Sequence, residues 1–249
     1  MSNTTIVAGF YNRNAEIENN RLVDGKLEFA VTMRTILDAL PKGNFLRIAD
    51  IGGGTGRYAM ELAKLGHKVT LTIICADASK LRESVFSQDD KFDVVLLLGP
   101  LYHLLGREER IAALSACAAL TKPNGMVFAS FITRFGHLRD VARRDPGRLA
   151  RETEFYNEYL ENGKYDRRKD CFSHHTHPTE IRDLLRGILE LSVERLVACE
   201  SFLGFASATG LNCLGEDGFQ AWVEVALPFA SDPCALGASE HILAVARRV

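Results

Sequence analysis

The chain has 249 residues, of which 47% are hydrophobic and 25% charged, enough for a substantial core and ordinary for a globular protein. Its 30 Lys and Arg against 32 Asp and Glu leave a formal net charge of −2, which argues against nucleic acid or an anionic membrane as a general partner. Six scattered cysteines without a CxxC pair fit free thiols in a reducing compartment. The polar N-terminus and the lack of a span-length apolar run make a cytoplasmic location the expectation.

Residues 1–25 are polar and include Tyr11, and they read as a solvated leading helix or as a segment folding over a ligand. Lys26 to Leu40 sets Leu27, Phe29, Ala30, Met33, Ile36, Leu37 and Leu40 at helical spacing, and Pro41-Lys42-Gly43-Asn44 breaks it. Phe45 to Ile51 is a short apolar run, hence a buried strand. It stops at Gly52-Gly53-Gly54-Thr55-Gly56, and an amphipathic run (Tyr58, Ala59, Leu62, Ala63, Leu65) follows as far as the C-cap residue Gly66.

Strand, glycine turn and helix open a nucleotide-binding βα unit. The glycines keep the turn tight and admit a ligand to the backbone, and the helix offers unpaired N–H groups and a positive dipole end. The loop lacks the Lys-Ser/Thr of a phosphate-binding P-loop. Asp50, just before the glycines, would repel a pyrophosphate and suits an amino group.

The order continues in α/β fashion. Lys68 to Ala76 is β-branched and apolar, a second strand, followed by Asp77-Ala78-Ser79 and a polar stretch. Phe92 to Leu98 is the next buried strand and delivers Gly99-Pro100-Leu101-Tyr102-His103-Leu104 at its carboxyl end. Arg107 to Leu120 is an amphipathic helix, Lys122-Pro123-Asn124-Gly125 a turn, and Met126 to Thr133 a strand. Residues 134–177 interrupt the alternation with charge and aromatics, including Tyr156, and predict a helical insertion acting as a lid. Its arginines sit among acids, which favours a solvated face over a nucleic-acid patch. Pro178 to Leu189 is a helix, Leu189 to Ala198 a strand, Gly218 to Phe229 a helix and His241 to Ala246 a last strand.

The pattern Asp50-x-Gly52-x-Gly54-x-Gly56 resembles motif I of the class I S-adenosylmethionine (SAM) dependent methyltransferases. The Gly99-Pro100-Leu101-Tyr102-His103-Leu104 run and the Gly237-Ala238-Ser239-Glu240-His241-Ile242-Leu243 tail resemble the small-molecule members. The resemblance covers nearly the whole chain and implies one Rossmann-like α/β domain over 1–249, with a mostly parallel sheet of about six strands flanked by helices. It implies SAM as cofactor, held by Asp50, Gly52, Gly53, Gly54, Thr55 and Gly56, and by Leu98 and Gly99 near the sulfonium. Asp77 and Ala78 would meet the adenine amino group, and Tyr11 would close over the cofactor. Asp77 also reads as a helix N-cap or a turn residue.

The chemistry needs little from the protein beyond alignment, because the methyl donor is already activated; a base is needed only for a protonated acceptor. His103 is the candidate base, or a histidine that merely bonds the following helix, and Tyr102 positions substrate or packs. Three histidines and a cysteine lie within Cys171–His177, but no second group of matching spacing exists, so no metal is expected. Substrate contact by His175 or His177 is the stronger reading.

One departure from the family stands out. An acidic residue should end the second strand about 17–20 residues after the last motif glycine, to hold the ribose hydroxyls. That window reads Ile73-Ile74-Cys75-Ala76. The join at Thr72-Ile73 looks like the start of strand two fused to the end of strand three, because a parallel crossover needs a dozen or more residues. Methyl transfer to an oxygen, nitrogen or sulfur of a small molecule is therefore weighed against a methyltransferase-fold protein with impaired or no transfer. The latter would be a binding or regulatory module, or a non-methylating catalyst.

Overall fold

The computed structural model describes residues 25–43, 45–72, 86, 90–167, 172–206 and 208–249. The expectations for Tyr11, Asp77, Ala78, Cys171 and the end of the second strand beyond Thr72 lie outside the described residues.

Six strands form one sheet: β1 (Arg47–Ile51), β2 (Lys68–Thr72), β3 (Phe92–Leu97), β4 (Thr121–Ile132), β7 (Leu191–Ala198) and β8 (His241–Arg248). Their order is β2-β1-β3-β4-β8-β7. The pairs β1–β2, β1–β3 and β3–β4 are parallel, and β8 runs antiparallel between β4 and β7. This is the mostly parallel Rossmann-like sheet that the sequence implied, with β2 at its edge among the described residues.

The period of two in the strands sorts their apolar residues to two faces. From β3, Val94 and Leu96 join Leu27, Val31 and Ile36 of α1 (Lys26–Ala39) and Leu62 of α2 (Arg57–Lys64). That same face takes Val223 and Ala226 of α9 (Glu216–Ala226). The alternate residues Val95 and Leu97 meet Ala113, Leu114 and Cys117 of α3 (Arg107–Leu120). They also meet Ile181, Leu184 and Leu185 of α7 (Pro178–Arg186), and the same cluster includes Ala235 and Leu236 of α10 (Pro233–Ala238). Each fully buried Val, Leu or Ile here contributes roughly 1.5–3 kcal/mol, so the two apolar layers hold the sheet between them.

Helix ends follow local chemistry. Before α3 the Gly106 amide donates to Glu109 Oε2 at 2.7 Å, and Glu108 and Glu109 sit in the positive first turn. His177 caps α7, with Pro178 at the first helical position. The expected turn at Lys122–Gly125 lies inside β4, which starts at Thr121 rather than Met126. Phe92 pairs with Thr121 and Val94 with Met126, so four residues bulge opposite Asp93 alone. The bulge is pinned by Asp93, which takes Lys122 Nζ at 2.8 Å on one oxygen and the Arg47 amide at 2.8 Å on the other.

The interrupting segment is helical, as predicted, and also contains a small hairpin. It comprises α4 (Arg134–Arg144), α5 (Arg148–Arg151) and α6 (Thr153–Asn162), followed by β5 (Lys164–Tyr165) paired antiparallel with β6 (Ser173–His174). Its arginines pair with acids on a solvated face, for example Arg148 and Arg151 with Asp145, and Arg143 and Arg144 with Asp140. Short pieces complete the described chain order: 3-10 turns at Pro100–His103, Ser201–Phe205 and Leu227–Phe229, and α8 (Ala208–Asn212). No described helix is long and apolar enough to cross a membrane.

Candidate active site

The carboxyl ends of the parallel strands define one rim, where ligands of open α/β sheets bind. At the end of β1 the glycine loop turns back over the sheet. The Gly52 amide donates to Thr72 Oγ1 at 3.1 Å, tying the loop to the end of β2, and Gly56 donates to Gly53 O at 2.9 Å, closing the turn into α2. Pro100, at the end of β3, packs on Gly52, so the two motifs singled out in the sequence meet directly.

Asp50 is fully buried beneath this loop. A Cβ on Gly53 would stand 2.3 Å from its Oδ2, which is why that position is glycine. Neither carboxylate oxygen has a hydrogen-bond partner among the described residues. Burial pushes the Asp50 carboxyl up to about 7, and the nearby Ala59 amide offsets this only in part. Gly54 has φ +55 and nothing within 4 Å of a built Cβ, and with Thr55 it is exposed. A fixed loop with open space above it and an orphan carboxylate below it is a cradle for a ligand with a cationic or amino end.

Leu98 and Gly99 are half-buried at the end of β3, and a Cβ on Gly99 would lie 3.4 Å from Gly52 O and 3.9 Å from Tyr102 Oη. The 3-10 turn Pro100–His103 follows. His103 is buried, its ring 4.7 Å from that of Tyr102, and its Nδ1 lies 2.7 Å from Phe172 O. A carbonyl only accepts, so Nδ1 carries the proton in this bond, and the neutral ring then has its lone pair on Nε2. Together these positions bring Asp50, Gly52–Gly56, Leu98, Gly99, Tyr102 and His103 onto one stretch of rim.

The three expected substrate residues are placed differently. Tyr156 is 2% exposed and Tyr159 is fully buried, and both pack with Val141, Phe155 and Tyr165 in a core internal to the inserted segment. His175 belongs to that core: its Nδ1 is bonded to Tyr159 Oη at 2.8 Å and its Nε2 to Ser173 Oγ at 2.9 Å. Burial pushes its pKa down to about 3, so it is neutral, and both ring nitrogens are used. His177 accepts from Thr179 Oγ1 at 2.8 Å as part of its cap and packs on Phe135. Tyr156, His175 and His177 thus all make contacts within the inserted segment or at its end. Among the described residues, no group of three or more His, Cys, Asp and Glu is arranged to hold a metal ion.

The inserted segment is fixed at its root. Thr133, ending β4, donates through Oγ1 to Ser239 O at 2.7 Å, and the Thr176 amide donates to Ile132 O at 2.8 Å. Arg134 reaches Glu180 at 2.6 Å, His175 O at 3.1 Å and Leu160 O at 3.1 Å. The small strand β6 packs against the Pro100–His103 turn. Sequence reasoning passed over this root and the Glu200–His241 pair beside it. The rim rule, applied to the carboxyl end of β7, points to Glu200 but not to His241, which begins β8.

A Rossmann-like sheet with a glycine cradle after its first strand defines a nucleotide-cofactor enzyme fold. The chain belongs to the methyltransferase-domain family, whose sequence model matches residues 20–188. No curated protein sequence matches the chain. Among solved structures it is similar to Burkholderia thailandensis 1,6-didemethyltoxoflavin-N1-methyltransferase, bound to 1,6-didemethyltoxoflavin and S-adenosylhomocysteine. That match has a TM-score of 0.57 at 12% identity, over 98% of this chain and 88% of that one. It is also similar to a SAM-dependent methyltransferase from Thermotoga maritima, described as a possible histamine N-methyltransferase (TM-score 0.54, 18% identity, 98% and 99% covered). A third similar structure is the CcbJ methyltransferase from Streptomyces caelestis (TM-score 0.54, 13% identity, 90% and 96% covered). At these identities the likeness establishes the fold.

Proposed function

We propose that this protein is a SAM-dependent methyltransferase that methylates an oxygen, nitrogen or sulfur atom of a small molecule. The observation that carries the reading is the buried, unpartnered Asp50 carboxylate beneath the glycine loop. An orphan acid in that position fits the amino group of the methionyl portion. Gly52, Gly53, Gly54, Thr55 and Gly56 would hold the methionyl and ribose portion by backbone approach, with Leu98 and Gly99 beside the reacting end. The bound cofactor supplies a methyl group already activated on a sulfonium. His103 would take a proton from the acceptor at Nε2, Tyr102 would orient the acceptor, and residues 134–177 would act as a lid that excludes water. The small-molecule class is supported by the Burkholderia neighbour, which binds 1,6-didemethyltoxoflavin.

A second reading has its own support. In the family the edge strand of the sheet and its acid precede the strand equivalent to β3, whereas here β2 is the edge among the described residues. We propose that this βα unit is shortened, leaving Asp77 to do the work of two acids. A chain with weak or no methyl transfer would follow. Calorimetry with SAM and S-adenosylhomocysteine tests the first reading: binding of neither sinks it. Tight binding without turnover on any small-molecule acceptor favours the second.

A further inference from the structure

Glu200 lies just past the end of β7, and both its oxygens are engaged. Oε1 accepts from His241 Nδ1 at 2.8 Å; Oε2 accepts from the Glu240 and His241 amides, each at 2.9 Å, and from Ser239 Oγ. His241 is the first residue of β8, opposite Ile132 at the end of β4. The antiparallel direction of β8 thus sets His241 on the same rim as the glycine loop and His103, two strands over from β3.

A ring held this way by a fixed carboxylate has one edge left to use. Nε2 of His241 has no hydrogen-bond partner among the described residues, and the side chain keeps 13% exposure. Several charged or titratable groups surround it. His175 faces it from the lid root, Glu28 from α1 and Glu240 from its own strand, and Arg139 of α4 faces Glu200 and Glu240. Burial alone would lower the His241 pKa, but the charge and hydrogen bond of Glu200 outweigh it and push it up to about 9. At neutral pH the free edge is therefore an N–H donor on a cation. The neighbouring acids leave it that role, because Glu28 is engaged by Tyr58 Oη at 2.8 Å and Glu240 is exposed to solvent that screens it.

We propose that His241, positioned by Glu200, is the recognition point for an acidic group of the acceptor, its Nε2–H donating to a carboxylate oxygen. This deepens the methyltransferase reading and rests on it. A charge-assisted bond of this kind favours a carboxylate over a carboxamide and rejects an ammonium, which would meet the N–H head on. A mere tie between β7 and β8 needs Nδ1 alone and predicts no ligand at Nε2.

The test uses the full chain labelled with 13C and 15N at histidine, titrated at pH 7.5 and constant ionic strength with acetate, acetamide or chloride. Each titration is run with and without S-adenosylhomocysteine. Acetate is expected to shift the His241 ring signals saturably at millimolar concentration, at least tenfold more tightly than acetamide. His67, which precedes β2 at the opposite end of the sheet, should stay put. Raising the pH through 9 should weaken the acetate response about tenfold or more, and Glu200→Gln should weaken it similarly at pH 7.5. An unmoved His241, an equal response to acetamide or chloride, or a response that survives above pH 10 would overturn the proposal. If Glu200→Gln fails to fold, the wild-type titration decides alone. Failure to bind S-adenosylhomocysteine, with the acetate response intact, would count against the cofactor reading and not against this site.

Discussion

The Asp50 carboxylate lies directly under Gly53, so close that a Cβ there would be 2.3 Å from Oδ2. The acid is thereby sealed from water on the loop side without being given a donor. Loop and acid are packed as one unit, because only a glycine lets the chain pass this close over the carboxylate.

That arrangement sets a pH dependence. The folded pKa of Asp50 is raised from 3.8 to about 7, so the native state holds an extra proton between those values. Its contribution to stability is fully present below about pH 4 and lost as pH rises through 7. The loss amounts to at most about 4 kcal/mol for a shift of this size. Asp50→Asn should therefore melt higher than wild type at pH 8 and match it near pH 4. It should also bind SAM about ten- to a hundredfold more weakly, the loss of one charge-assisted hydrogen bond. Scanning fluorimetry across pH together with calorimetry checks both. A variant that melts lower at pH 8, or binds SAM as well as wild type, contradicts this account.

Gly54 offers a cleaner probe of the cradle than its position in the motif suggests. Gly54→Val combines bulk with strain, because φ is +55 and a β-branched residue resists that region. Asn tolerates left-handed backbone, and its side chain would project into the open space over the loop. Gly54→Asn should keep the melting temperature within a few degrees and reduce SAM affinity at least tenfold. Unchanged affinity would mean that the space above Gly54 is not where the cofactor lies.

The inserted segment, proposed as a lid, can be removed at defined points. Thr133 and Thr176 form a parallel bridge at its root, and the Thr176 amide bonds Ile132 O at 2.8 Å. A short linker replacing residues 138–172 keeps both threonines, Arg134 and the cap at His177. SAM binding should survive this deletion and turnover should fall at least a hundredfold, since water exclusion and acceptor contacts go with the lid. Turnover near the wild-type rate on the natural acceptor would show that the segment is not a lid.

Some of this was legible in the residues and some was not, for physical reasons. The helix at Arg107–Leu120 was read to the residue, because its apolar spacing is long and turn signals flank it on both sides. The start of β4 was set late, because Pro123, Asn124 and Gly125 carry turn chemistry that the strand uses in a bulge. Asp50, the glycines and the Pro100–His103 turn could be grouped from sequence, since each follows directly on a strand. For Tyr156 and His175, sequence spacing does not reveal that both rings meet Tyr159 inside the insertion, Tyr156 by an edge-on ring contact and His175 by a hydrogen bond to Tyr159 Oη. The Glu200–His241 pair joins residues 41 positions apart on antiparallel strands, a contact no local periodicity signals.

The proposed shortening of the second βα unit gives the last prediction. Thr72 ends β2 as described, already bonded through Oγ1 to the Gly52 amide, so the edge strand is tied to the glycine loop by a hydroxyl. Residues 73–91 then lead to β3, enough for one crossover, which takes a dozen or more residues, and too few for a helix, a further strand and a second crossover. If Asp77, the first acid after β2 in the sequence, serves alone, either the ribose hydroxyls or the adenine amino group goes without a carboxylate. A missing charge-assisted hydrogen bond is worth roughly 1.5–3 kcal/mol, so SAM should bind about ten- to a hundredfold more weakly than to a family member with both acids. Inserting a strand–helix–strand segment of family length, with an acid at the tip of its first strand, should recover that affinity in calorimetry. Low-micromolar SAM binding by the present chain, undiminished in Asp77→Ala, would show that neither the shortening nor Asp77 matters to the cofactor.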